Sequence, residues 1–163
     1  MTQKKSVMML VAFYGLCLLV QAAGGLITAS SVGGWYQTLV RSELTPPGAA
    51  FGIAWSILYA LMAVAAWRVW RIQSSLSSMA SLCSMAQKLW LAQLFAGLAW
   101  NIIFFGMMQV QAGFAIIACV WGLAVLCMIR FSRIDRLAGR LMMPLVGWLT
   151  FATYLQGFIA LHN

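Results

Sequence analysis

Acidic side chains are nearly missing from this sequence: Glu43 and Asp135 are the two in 163 residues, and charged residues of either sign make up 7%. Soluble domains carry about 25%, so the surface is not made for water. Histidine occurs once, as the penultimate residue His162, so neither a bis-histidine haem nor a histidine-built metal cluster can be assembled. No ionisable group interrupts the interior of the long apolar runs, whereas ion-driven transporters and proton pumps carry such groups inside their helices. No Ser–His or paired-Asp constellation is available at membrane depth, which argues against an intramembrane protease. Cys17, Cys83, Cys119 and Cys127 show no C-x-x-C spacing, and at least three of them lie in apolar runs. Thiols there behave as small hydrophobes, so neither a disulfide framework nor thiol redox chemistry is expected. Proline is scarce, with three residues.

What is present is apolar: 64% of the chain. A spanning helix needs about 20 mostly apolar residues, and five such runs occur, at about 7–27, 48–69, 89–108, 112–129 and 141–161. An ionisable residue at mid-span costs about 2.5–3.5 kcal/mol on insertion scales, and these runs avoid it. The expected fold is therefore all-α, one transmembrane domain over 1–163 with five spanning helices. The net charge of +8 sits in short clusters between the runs, with no basic helix face, so anionic lipid headgroups are the expected partner and nucleic acid is not. With five spans, Lys4, Lys5, Arg68, Arg71, Lys88, Arg130, Arg133, Arg136 and Arg140 share one side and Arg41 stands alone on the other. That asymmetry places the N-terminus in the cytoplasm and the C-terminus outside, if the membrane is a bacterial inner one. Lys4 and Lys5 before an apolar stretch have the look of a signal peptide, but the stretch is longer than the usual 7–15-residue signal core, so it is expected to stay as the first span.

The segment from about Thr28 to Pro46 is too long for a plain helix–helix turn and contains Gly33-Gly34-Trp35-Tyr36, so a lid over the bundle is expected. Pro47 suits the first turn of the second span. No internal repeat is visible. Eight tryptophans are present. Trp35, Trp67, Trp70 and Trp90 fit an interfacial belt, whereas Trp55, Trp100, Trp121 and Trp148 fall nearer mid-span. Aromatics also repeat at helical spacing: Phe51, Trp55 and Tyr59 in the second span, Trp100 and Phe104 in the third, Phe114 and Trp121 in the fourth, and Trp148 with Ala152 and Leu155 in the fifth. Plain helix packing and the wall of a cavity for a flat aromatic ligand both account for this pattern, since offset-stacked rings gain about 0.5–1.5 kcal/mol each. Gly48-x-x-x-Gly52 and Ala92-x-x-x-Ala96 are small-residue patterns that allow close helix approach. Either can serve internal packing; the second is the expected dimer seam.

At these residues the sequence resembles the translocator protein family, also called tryptophan-rich sensory or peripheral benzodiazepine receptor-like proteins. The resemblance rests on Trp35-Tyr36-x-x-Leu39, Pro46-Pro47, Phe51-x-x-x-Trp55-x-x-Leu58-Tyr59, Trp100 ahead of Phe104-Phe105-Gly106, and Pro144-x-x-x-Trp148-x-x-Phe151-Ala152-Thr153. It runs from about Gly24 to Gln156 and implies a five-helix, usually dimeric bundle with a ligand cavity under the first loop. It implies porphyrin ligands such as protoporphyrin IX, no obligatory cofactor and no metal. Carried over residue by residue, the cavity would use Trp55 and Tyr59, Trp100, and Trp148, Ala152 and Leu155, with Trp35 and Tyr36 closing the top; Phe51, Phe104 and Trp121 join them from the stripes above. Three departures stand out. Gly97 replaces an Asn usual one turn before the third-span Trp, Ala118 replaces an acidic residue found in some members, and Arg41-Ser42-Glu43-Leu44 replaces Lys-Pro-Ser-Trp. The sterol-recognition pattern of animal members lacks its cation here, where Leu155 is followed by Phe158 and Leu161.

The resemblance implies a sensory, transport or tetrapyrrole-regulating receptor. Its alternatives are a light-dependent porphyrin-degrading enzyme, with Trp35, Tyr36 and Trp148 as electron donors, and a small uncoupled transporter. Relatives also sit in outer mitochondrial membranes, so an outer membrane is the other possible location. For Arg41 two pairings compete: the commoner one, an interfacial ion pair with Glu43, and a desolvated pair with a ligand carboxylate.

Overall fold

Chain crossing hydrocarbon has to close every backbone N–H and C=O on itself, and the apolar runs do so as helices. The computed structural model describes residues 3–163. Its elements are α1 (Gln3–Val32), the short α2 (Trp35–Thr38), α3 (Gly48–Ser75), α4 (Ala80–Asn101), α5 (Val110–Ile134) and α6 (Arg136–His162). Five of them, with α4 extended by a π-helical segment at Ile102–Gly106, are long and apolar enough to cross a membrane. No strand occurs among the described residues. Each expected span lies within one of these helices, except that the third runs two residues past the π segment. The first loop is shorter than expected, because α1 continues to Val32.

The helices close a ring in the order α1, α3, α6, α5, α4, with α3 also touching α4 across the middle and α5 packed most extensively on α6. Asp135 alone separates α5 from α6, and its carboxylate caps the new helix by accepting the Leu137 N–H at 3.0 Å. Gly139 makes the turn possible: a Cβ there would lie 2.7 Å from the Ser132 Cα. Arg68 of α3 reaches over to pair with Asp135, the ion pair found among the described residues. Burial pushes the Asp135 carboxyl up, but the Arg68 hydrogen bond and the Leu137 and Ala138 N–H groups outweigh it and hold the group below the usual carboxylate range. At the same end the Trp67 indole donates to the Ser6 carbonyl, and Arg71 lies over the Trp67 ring. The helices meet here.

The interfacial reading fails for Trp90, which is fully buried edge-on to Phe13. The first small-residue pattern also differs from expectation. A Cβ on Gly48 or Gly52 would meet nothing within 4 Å, so these glycines border open space and no helix packs on them. Ala92 is exposed, and Ala96, one turn on, is half-buried and packs partly against the interior.

Between α1 and α3, residues 33–47 hold α2 and a turn in which the Ser42 carbonyl accepts from the Thr45 N–H. The segment is pinned at two places. The Asn163 side chain bonds both the N–H and the carbonyl of Val40, while Trp35 and Tyr36 pack edge-on against Phe104.

Candidate functional site

The two halves of the bundle pack differently. Toward the Asp135 end α3, α4, α5 and α6 meet through Ala63, Ala65, Ala66, Ala86, Ala124 and Ala138, all at or near zero exposure. Toward the end carrying α2, larger residues hold the helices apart around a cavity of about 810 Å³, within the 300–1,000 Å³ of small-molecule sites.

Two long helices and the first loop supply most of its rings, and Tyr14 of α1 adds one more. Phe51, Trp55 and Tyr59 line it from α3, Trp100 from α4, Phe104 and Phe105 from the π segment, and Tyr36 from α2. The π segment has a clear effect here. By widening one turn, it sets Phe104 parallel to Trp100 (centroids 5.8 Å, interplanar angle 11°) while Phe105 stands edge-on to both. Such bulges are rare and frequent at functional sites. Ser31 of α1 holds the segment by donating its hydroxyl to the Phe105 carbonyl. Ala152 and Leu155 complete the wall from α6.

The polar groups on the wall are few. At the loop end Arg41 donates to the Gln37 side-chain oxygen at 2.8 Å and lies over the Tyr36 ring, 5.1 Å from its centroid. It makes no ion pair with Glu43, so the commoner pairing expected for it is absent. Burial pushes the Tyr36 phenol above its ordinary value, with Arg41 beside it countering part of the rise. Lower down, Thr28 donates to Asn101 Oδ1 at 2.9 Å, and Asn101 donates to the Gly97 carbonyl. Gln93 lines the inner end, and among the described residues its side-chain oxygen has no hydrogen-bond partner; nor has the Trp100 indole N–H.

The cavity is not sealed. Tyr14, Leu18, Ala22, Gly25 and Ala29 of α1 recur every three or four residues, and all of them line the cavity and are exposed. Facing them are Gly48, Gly52 and Ser56 of α3, likewise lining and exposed. The opening therefore runs between α1 and α3 on the side of the bundle, at the depth of the apolar spans. One hydrogen bond crosses it, from the Gln21 amide to the Ser56 hydroxyl at 2.8 Å.

Three residues expected at the wall are elsewhere. Trp121 is 40% exposed on the outside, its indole donating to Thr150 Oγ1 at 2.9 Å. The inner face of α5 is the stripe Gly113, Ile117, Val120, Ala124, Cys127 and Phe131, and Trp121, one position past Val120, turns about 100° away from it. Trp148 stands behind the wall, edge-on to Phe51 (5.4 Å) and Trp55 (6.3 Å), and Trp35 stands behind Phe104. They brace cavity rings without bordering the space. Of the three rings considered for photochemistry, Tyr36 alone lines it. Conversely, sequence reasoning missed Gln93, Gln156 and the Gln21–Ser56 bridge. The available signal was a lone amide inside an apolar span, which is costly unless used.

Comparison with known proteins adds the rest. A family model described as the TspO/MBR family matches residues 13–161. The "Tryptophan-rich protein TspO" of Chlorobaculum tepidum is 32% identical over 152 residues, covering 93% of this chain and 94% of the relative. The "Protein CrtK" of Rhodobacter capsulatus is 29% identical, with 90% and 88% covered. The human "Translocator protein" is 30% identical over 122 residues, with 75% and 70% covered.

Proposed function

Since the chain belongs to the TspO/MBR family, we propose that it is a membrane receptor that binds porphyrins, protoporphyrin IX among them, in the cavity beneath residues 33–47. The observation that carries this reading is the pairing of ring walls with a lone cation. A porphyrin is an apolar disc with two carboxylates on one edge. Trp55, Tyr59, Trp100 and Phe104 offer faces and edges to the disc, and Arg41, free of any acidic partner, meets the carboxylate edge at the loop end. A charge-assisted pair there is stronger than a neutral hydrogen bond. Residues 33–47 act as the lid, and the opening between α1 and α3 admits a ligand dissolved in the bilayer.

The nine-to-one distribution of Lys and Arg supports a bacterial inner membrane with the N-terminus in the cytoplasm, which sets the lid on the outer side. In the bilayer the protein acts as a homodimer, a state that cross-linking in vesicles reads directly. Titration with protoporphyrin IX in detergent, followed by quenching of tryptophan fluorescence, tests the binding. Saturable quenching is expected for the wild type, with affinity about tenfold weaker for Trp100→Leu, the loss of about 1.4 kcal/mol of ring stacking. Arg41→Gln weakens it further for the dicarboxylate but not for its dimethyl ester. Linear, unsaturable quenching rejects the assignment.

A further inference from the structure

Gln93 is a buried amide on the cavity wall. It is 4% exposed, it sits on α4 at membrane depth, and its side-chain oxygen has no hydrogen-bond partner among the described residues. Buried polar groups in native proteins almost always find one, and in hydrocarbon an unpaired amide is especially costly. The residue lines the cavity at the end away from the lid, seven positions before Trp100 and so about 10 Å deeper along the helix. Leu18, Met62, Leu94 and Leu149 share that end of the space with the Tyr59 phenol, so a polar atom arriving there meets Gln93 among few polar groups.

We propose that Gln93 is a specificity-determining residue: its carboxamide bonds a hydroxyl or N–H on the leading edge of a flat ligand, opposite the carboxylate edge held at Arg41. This rests on the tetrapyrrole reading above and sharpens it. A ligand with an all-hydrocarbon leading edge leaves the amide unpaired, whereas one with a hydroxylated edge satisfies it. A carboxamide both donates and accepts, so a hydroxyl is served whichever way the group is turned. Sites that bond a ligand hydroxyl discriminate against the analogue lacking it, because the protein's own polar group is then stranded.

Haematoporphyrin and mesoporphyrin form a matched pair of probes. They share the ring and both propionates and differ in carrying 1-hydroxyethyl or ethyl groups on the opposite edge. Titrations of the full chain in lipid nanodiscs, corrected for partition into protein-free nanodiscs, should favour haematoporphyrin by about tenfold, as expected for one net hydrogen bond. Gln93→Leu should abolish that preference, bringing the ratio of the two affinities to about one. Gln93→Met, which keeps the length without the amide, carries the comparison if the leucine variant does not fold. The same preference in wild type and variant, or none in either, overturns the proposal, with water serving the amide instead. If neither probe quenches saturably in the wild type, the porphyrin reading of the cavity falls and takes this assignment with it.

Discussion

Individual residues bear uneven loads in this bundle, and Met108 carries the clearest local cost. It is the non-glycine residue with a positive φ among the described residues, 56°, at the exit of the π segment. Left-handed backbone costs an L-residue about 1–2 kcal/mol. Met108→Gly should therefore hold or raise thermal stability in detergent, and Met108→Val should lower it by more than 1 kcal/mol, since β-branching is least tolerated there. The residue scale is also where the sequence was hardest to read. In a soluble helix, apolar character marks the inner face. In lipid the outside is as apolar as the core, so periodicity in α5 could not separate the Ile117–Val120 face from the Phe114–Trp121 face. The weight of the aromatic rings pointed to the wrong one. Gln93 and Gln21 were legible in principle, because a polar residue amid apolar ones stands out wherever it faces.

At the scale of elements, the reading from sequence was nearly complete for the five long helices, because length and hydropathy alone define a span. It failed at the joints. The π segment has no compositional signature in Ile102–Gly106, and α1 runs through Thr28–Val32 because nothing there breaks a helix. The α5–α6 joint gives two predictions. Gly139→Ala should destabilise the protein by about 2 kcal/mol or more, since its methyl group would press on Ser132 backbone that cannot yield; thermal midpoints in detergent measure it. Asp135→Asn removes a capping, ion-paired carboxylate and should cost about 1–2 kcal/mol at neutral pH, a modest figure because Arg68 is partly exposed. The native carboxyl is held below the usual carboxylate range, so it contributes stability above the unfolded-chain value and loses it as the pH falls through its own depressed range. The gap between wild type and Asp135→Asn should persist at pH 5 and close below about pH 4, as measured by unfolding at each pH.

For the molecule as a whole, the two ends of the bundle divide the work. Small residues, the Arg68–Asp135 pair and the Trp67–Ser6 bond lock the helices at one end, leaving the other free to stand apart around a chamber. Substitutions at the locked end, Ala66→Leu for example, should lower stability with little effect on porphyrin affinity in the surviving folded fraction. Trp100→Leu should do the reverse. Thermal midpoint and quenching titration on the same samples separate the two effects.

On the porphyrin-receptor reading proposed above, the gap between α1 and α3 lies at the depth of the lipid tails, and the protein would sample its guest from a two-dimensional solvent. Its filling would then track the mole fraction of porphyrin among the lipids, whatever the volume of surrounding buffer. Adding empty liposomes would strip the guest from the protein, while simple dilution of the suspension would leave it loaded.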